Sequence, residues 1–265
     1  MPPIVKPLDL IIPDWPAPEG VRACISTRSG GDSAMPWASL NLATHVGDDL
    51  RTVQSNRERL VAGLNSSMQI QWLDQVHGTS SVQARDDGAV PRADAAWSRT
   101  PGLACAVLTA DCLPILICDR EASVVAAIHA GWRGLAAGVI RSTLDTLAAK
   151  PQGLLAYLGP AICSRCFEVG AEVRECFLKG GGDRSWDSSW DSAQVAAVEA
   201  CFQASPQRAD HYLADLPGLA RAQLRALGVN DIYGGDLCTL EMPELFYSYR
   251  RDGCTGRQAA LIFLE

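Results

Sequence analysis

The order of apolar and polar positions predicts strands and helices in alternation along most of the chain. Val21 to Thr27 reads as a strand, followed by a turn at Arg28-Ser-Gly-Gly-Asp32 and the polar–apolar segment Ser39-Leu-Asn-Leu42. Leu50 to Leu64 carries Val53, Leu60, Val61 and Leu64 at roughly helical spacing and predicts an amphipathic helix. Ile70 to Val76 predicts a strand ending at His77-Gly78. In the centre, Leu103 to Thr109 and Pro114 to Cys118 are apolar runs of strand length flanking Ala110-Asp-Cys112. Val124 to Ile128 is a further β-rich run, closed by His129-Ala-Gly-Trp-Arg-Gly134. A helix of small residues is expected from about Leu135 to Ala149, then a strand at Leu154 to Leu158, a Gly159-Pro160 turn and a helix near Glu168 to Leu178. Gly180 to Ser192 is rich in Gly, Asp, Ser and Trp and reads as an exposed loop. Leu216 to Leu227 predicts an amphipathic helix stopped by Gly228 and leading to a strand at Asn230 to Tyr233. The segment Phe246 to Arg251, a turn at Asp252-Gly253 and a strand at Gln258 to Leu264 close the chain.

This alternation predicts a mixed α/β (α+β) sandwich. Neither a Gly-x-Gly-x-x-Gly nor a Gly-Lys-Ser/Thr element is present, which excludes nucleotide phosphate held by either loop. With no break in composition, 265 residues read as one domain over 21–265, preceded by an N-terminal extension over 1–20. The richest apolar region, Leu103 to Ile117, is interrupted by Thr109, Asp111 and Pro114, so no membrane span is expected. The proline-rich start, with Asp9 and Asp14, does not read as a signal peptide. Ten cysteines without an export signal then imply free, mostly buried thiols in a reducing compartment, the cytoplasm.

Charge narrows the partners. The net charge is −7 and no basic cluster is present, which argues against a nucleic-acid binder held by phosphate contacts. The cations are 20 Arg and only Lys6, Lys150 and Lys179, a skew that suits anion recognition but also follows from coding bias. Four histidines and no His-x-His pair exclude a copper trio of the multicopper type. A single metal held by two His and one Cys stays open.

Three residues fit that set: His77, Cys112 and His129, each at a predicted strand end beside a glycine or turn. Their spacings, 35 and 17, are too long for local zinc-finger pairs and need a folded sheet to bring them together. Two imidazoles and a thiolate leave a fourth position for water or substrate, and zinc so held lowers the pKa of bound water to about 7. The alternative is that each is a packed or capping residue. Arg133 sits just before a predicted helix, whose free N–H groups would favour phosphate, although Gly131 and Gly134 also suit plain strand–helix packing. Asp111 reads as a partner of the ligands, a general base, or a turn residue. Arg28 beside Ser29-Gly30-Gly31, and Arg250, Arg251 and Arg257 near the C-terminus, read as anion contacts or as a solvated hairpin. Glu168 reads as a candidate acid or as a helix cap. Cys163-Ser-Arg-Cys166 has the spacing of a redox or zinc half-site, but no second Cys-x-x-Cys completes it, and coincidence among ten cysteines is the reading taken.

Several motifs together resemble the YfiH-like, or laccase-domain, family. They are Arg28-Ser-Gly-Gly31, Ser39-Leu-Asn-Leu-Ala-Thr-His-Val-Gly-Asp48, Gln75-Val-His-Gly78, Thr109-Ala-Asp-Cys-Leu-Pro114 and His129-Ala-Gly-Trp-Arg-Gly134. Gly159-Pro160 with Phe167-Glu-Val-Gly170, and Phe246-Tyr-Ser-Tyr-Arg-Arg-Asp-Gly253 with Thr255-Gly-Arg257, extend the match from about residue 21 to the C-terminus. The resemblance implies a single-domain α/β sandwich with mixed sheets. It also implies a metal, usually zinc, on His77, Cys112 and His129. Its implied activities are purine nucleoside phosphorylase with adenosine deaminase and methylthioadenosine phosphorylase, or polyphenol oxidase. For phosphorolysis of adenosine, inosine or guanosine, Arg28, Arg133, Arg250 and Arg251 would serve phosphate, and Asn41 or Ser248 the ribose or base; Asp111 and Glu168 are the acid/base candidates. Zinc cannot cycle electrons, so phenol oxidation would need copper in the same site. A non-catalytic metal-binding scaffold is the third reading.

Overall fold

The computed structural model describes residues 8–64, 68–179 and 191–265. Along the chain run β1 (Leu10–Ile11), β2 (Val21–Ser26), α1 (Leu50–Gly63), β3 (Gln69–Gln71), β4 (Ser81–Gln83), β5 (Ala95–Ser98), β6 (Leu103–Thr109), β7 (Leu113–Asp119) and β8 (Val125–Ala130). Then come α2 (Trp132–Ala136), α3 (Val139–Leu147), β9 (Leu154–Leu158), β10 (Glu168–Gly170), α4 (Ala171–Lys179), α5 (Ser192–Glu199), β11 (Phe202–Ala204), β12 (His211–Ala214), α6 (Leu216–Ala226), β13 (Asp231–Gly234), α7 (Tyr249–Asp252) and β14 (Gln258–Leu264).

Two mixed sheets form a sandwich, ordered β1-β2-β14-β6-β3 and β13-β9-β7-β8-β5-β4, with a small third sheet β10-β12-β11 beside them. The period of two along β6 explains how both its faces are buried. Leu103, Cys105 and Val107 meet Leu116, Cys118 and Val125 inside the sandwich, while Ala104, Ala106 and Leu108 face Leu40, Leu42 and Leu60 on the outside. On the far face of the second sheet, Ile115, Ile117 and Ile128 pack under Leu135, Val139, Leu144 and Leu219 of the helices. Each such fully buried Leu or Ile contributes about 1.5–3 kcal/mol relative to exposure. The result is a single-domain α/β sandwich with mixed sheets. The stretch expected as an N-terminal extension contributes β1, which pairs antiparallel with β2, and Trp15, which lies against Tyr157 at a centroid distance of 5.9 Å.

The predicted strands at 103–109, 154–158 and 258–264 form with those bounds. Three expectations change. The strand expected over Ile70 to Val76 is only Gln69–Gln71, because the Gln75 side chain replaces the ladder: its amide donates to the Leu108 carbonyl and accepts from the Leu108 amide, each at 2.8 Å. The helix expected from Leu135 to Ala149 is two, broken at Gly138, whose φ of +91° cannot continue a helix. The helix expected from Glu168 starts later: Phe167 and Val169 alternate into the core as a strand paired with β12, and α4 begins only at Ala171. The loop expected over Gly180 to Ser192 falls at 180–190 outside the described residues.

Candidate metal centre

The chain crosses between the two sheets from β6 to β7 through Ala110-Asp-Cys112, and this turn sets the site. Asp111 adopts φ +97°, held by the Thr239 hydroxyl donating to Oδ1 at 2.6 Å and the Arg250 amide donating to Oδ2 at 2.7 Å. Cys112 is thereby presented beside β8, where Pro114 is the register partner of His129. His77 follows the Gln75 clamp and has φ +59°. The ligand atoms of His77, Cys112 and His129 all lie within 4.8 Å of one another, with Cys112 Sγ 3.7 Å from His77 Nε2. The two rings meet edge-on, with centroids 4.8 Å apart.

Asp94 organises the cluster and is absent from the sequence-based candidates. Its fully buried carboxylate lies 2.8 Å from His129 Nδ1 and accepts from the amides of Val76, His77 and Gly78 at 3.3, 2.9 and 2.6 Å. Its backbone carbonyl accepts from the His129 amide at 2.7 Å. One residue thus fixes the backbone at His77 and occupies His129 Nδ1, leaving Nε2 for the cluster. Burial works against the charged carboxylate, but the bonds to His129 and Gly78 outweigh it and hold its pKa below the ordinary value. No local pattern marks it: Asp94 sits in the small-residue run Ala93 to Ala96, 17 and 35 positions from the histidines it holds.

The donor set suits a metal. Burial opposes ionisation of Cys112, yet the charges and hydrogen bonds of His129 and His77 prevail and bring the thiol down to about 6. Burial likewise opposes the imidazolium of His129, and Cys112 and Asp94 raise it to about 9. The backbone keeps this centre clear: a Cβ on Gly131 would lie 2.8 Å from His77 Cδ2 and 3.0 Å from Cys112 Sγ, and one on Gly134 would lie 2.7 Å from the Gly78 carbonyl. Gly131 and Gly134 therefore have a packing reason at the site itself. His77 is exposed and His129 buried, so the cluster opens on one side.

That side is a pocket of about 250 Å³ lined in part by His45, Thr109, Tyr249 and Arg257. The Thr109 hydroxyl is buried and, among the described residues, has no hydrogen-bond partner. Arg257 is the arginine of the pocket lining; its guanidinium donates to the carbonyls of Thr255 and Gly256, each at 2.9 Å. Burial lowers its pKa, and Cys112 and Asp111 act the other way. Burial, with Arg257 adding to it, also lowers the pKa of His45.

The remaining sequence candidates lie elsewhere, for reasons visible in their bonds. Asn41 is fully buried and ties together Ala43, Asp48 and the Arg257 amide. Arg28 donates to the carbonyls of Ala38 and Pro243, and its guanidinium sits 5.0 Å from the Tyr247 ring. Arg251 donates to the carbonyls of Thr239, Leu240 and Phe246, and Ser248 caps α7 by accepting from the Arg251 amide. Arg250 reaches the Glu168 carbonyl and stacks near Phe167, while Arg133 lies over Trp132. The Glu168 carboxylate accepts from Ser205 and Arg208, in the connection between β11 and β12. None of these lines the pocket, and neither does Asp111, whose two oxygens are both engaged.

Sandwich, crossover turn and His/Cys/His cluster together define a class. The chain belongs to the YfiH-like family, whose model, described as multi-copper polyphenol oxidoreductase laccase, matches residues 22–265. It is 50% identical over 257 residues to the purine nucleoside phosphorylase YfiH of Shigella flexneri, covering 96% of this chain and 98% of that one. It is 49% identical to the protein of the same description from Escherichia coli (strain K12), again over 96% and 98%. Among solved structures it resembles Neisseria meningitidis protein NMB0706, with TM-score 0.87, 42% identity and coverage of 97% and 99%. YlmD from Geobacillus stearothermophilus matches at TM-score 0.81 and 32% identity over 94% of each chain.

Proposed function

We propose that the protein is a zinc-dependent purine nucleoside phosphorylase, with His77, Cys112 and His129 as the metal ligands. The observation that carries the reading is a pocket holding a part-buried arginine, Arg257, beside a His/Cys/His cluster that stays open on that side. Relatives at about half identity are described as purine nucleoside phosphorylases, without mention of a metal. In phosphorolysis a phosphate oxygen attacks C1′ of the ribose, the glycosidic bond breaks, and its electron pair leaves on the purine.

Each part has a counterpart. Arg257 offers a fixed cation to the phosphate, replacing the anion-binding roles expected of Arg28, Arg250 and Arg251. The Thr109 hydroxyl, without a protein partner, suits a ribose or phosphate oxygen. The exposed Tyr249 ring at the rim offers a face for the purine. A bound zinc supplies Lewis acidity at the open end. Asp94 keeps His129 in one orientation, and Gly131 keeps the cluster free of side-chain bulk. Ten free thiols suit a reducing compartment, and we assign the protein to the cytoplasm. Among the described residues no helix is long and apolar enough to cross a membrane.

The deciding experiment is to incubate the purified, metal-analysed protein with adenosine, with and without phosphate, and to separate the products. Adenine with ribose 1-phosphate, formed only with phosphate, is the expected result. Inosine formed without phosphate points to deamination, for which the pocket lining provides no carboxylate. Inactivity on every purine nucleoside combined with copper-dependent phenol oxidation overturns the proposal in favour of the activity in the family's description.

A further inference from the structure

A second cluster lies apart from this pocket. Cys163 and Cys166, on the loop between β9 and β10, meet Cys238 and Glu241 from the segment after β13, and one ligand atom from each lies within 4.8 Å of all the others. The lone Cys-x-x-Cys of the sequence therefore has its missing half, supplied by a part of the chain 75 residues away. We propose that Cys163, Cys166, Cys238 and Glu241 form a structural site for a thiolate-preferring divalent cation, zinc being the class member that fits.

The local geometry is that of a knuckle. The amides of Cys166 and Phe167 both donate to the Cys163 carbonyl at 3.0 Å, curling the loop so that both sulfurs point the same way. The Cys163 amide donates to Cys238 Sγ at 3.3 Å, the kind of backbone contact that stabilises a thiolate. Cys166 Sγ lies 3.6 Å from Glu241 Oε1. Three sulfurs and one carboxylate oxygen make a closed four-coordinate set, which is the structural rather than the catalytic pattern for zinc. Tetrahedral zinc with Zn–S of about 2.3 Å places sulfurs about 3.8 Å apart, a contraction of at most about 1 Å from the present spread. On binding, the three thiols lose their protons to solvent and the ion replaces them. Arg165, at 2.5 Å from Glu241, offsets part of the resulting negative charge.

The two joined segments also support the first centre, so the site has a structural reason. Ala161 and Cys238 form an isolated parallel bridge, the Thr239 amide donates to the Ala161 carbonyl, and the Ile162 amide donates to the Asp111 carbonyl. Thr239, next to Cys238, holds the Asp111 side chain. A cation at the second site would therefore fasten both strands of chain that fix the turn carrying Cys112.

Metal counting tests this without reference to activity, so it stands or falls separately from the phosphorylase reading. Protein produced in zinc-supplemented medium is dialysed and its zinc measured per chain. Two zinc per chain are expected for the native protein and one for Cys163→Ser/Cys166→Ser. Cys112→Ala should also retain one, because the second site is untouched. Should the double variant fail to fold, alkylation of the native protein decides: Cys163 and Cys166 should react at least tenfold more slowly before than after chelator treatment, with exposed Cys254 reacting alike in both. At most one zinc, lost with Cys112→Ala and unaffected by the double variant, overturns the proposal. So does equal labelling before and after chelation, or an intact mass showing a disulfide among Cys163, Cys166 and Cys238.

Discussion

His129 Nδ1 lies 2.8 Å from Asp94 Oδ1, and the same carboxylate accepts from the backbone amides of residues 76, 77 and 78. One buried side chain thus sets the positions of two histidines, His77 in the segment between β3 and β4 and His129 near the end of β8. Replacing Asp94 by Asn keeps the shape but removes the charge that orients His129, so zinc affinity should fall about 10–100-fold. Replacing it by Ala strands three amides and a histidine in the interior and should lower stability by about 3–5 kcal/mol. Chelator competition and urea unfolding measure the two effects separately. An Asn variant with native zinc affinity would remove Asp94 from its positioning role.

Gly131 makes a steric prediction. Its φ of −64° is open to any residue, so Gly131→Ala should fold without backbone strain. The added methyl, however, would lie 2.8 Å from His77 and 3.0 Å from Cys112. Misplacing the ligands by a few tenths of an ångström to 1 Å should cost about 100-fold in kcat while the thermal midpoint moves little.

Protonation of the cluster gives a pH prediction. In the metal-free chain Cys112 ionises near 6 instead of 9.0, and His129 near 9 instead of 6.5. The stabilisation from lowered Cys112 is lost as pH falls through about 6, and that from raised His129 is lost as pH rises through about 9. Between about 6.5 and 9 the pair carries one proton folded and one unfolded, so the two slopes cancel and its contribution is flat. Metal binding must remove that proton. Calorimetric zinc titration of Cys163→Ser/Cys166→Ser in buffers of different ionisation enthalpy should show one proton released from the pair at pH 7.5 and two below pH 6. A release that does not rise as pH falls below 6 would overturn this protonation scheme.

Arg257 and Arg28 should behave oppositely although both are arginines of shared motifs. Arg257 lines the pocket, and Arg257→Gln should raise the phosphate KM about 10–100-fold, the loss of a charge-assisted bond, with the melting temperature nearly unchanged.

Arg28 lies outside the pocket lining, held by the Ala38 and Pro243 carbonyls and the Tyr247 ring. Arg28→Ala should therefore lower stability by about 2 kcal/mol and leave the phosphate KM within about twofold. Steady-state kinetics with denaturant unfolding on both variants decides. A phosphate KM raised by Arg28→Ala alone would reverse the assignment.

The local sequence determined the elements whose residues carry their own reasons. The strands at 103–109, 154–158 and 258–264 are apolar on both faces because each is covered twice, and that reads directly as an uninterrupted apolar run. Cys112 and His129 were legible as residues at strand ends beside turns, since a sheet presents its ends and turns need glycine or an unusual φ, whereas His77 lies beyond the end of β3, in the segment leading to β4. Tertiary structure alone decided which polar groups face one another. Asn41, Ser248, Arg28 and Arg251 carry the same functional groups as a binding site, yet the fold spends them on backbone carbonyls and amides that no ladder satisfies. Asp94 and Cys238 lie far in sequence from the residues they complete, and no local pattern records such a meeting. Contacts between distant segments follow from how the layers pack, so the chemistry of both clusters belongs to the fold, while the strands that bring them together were already written in the chain.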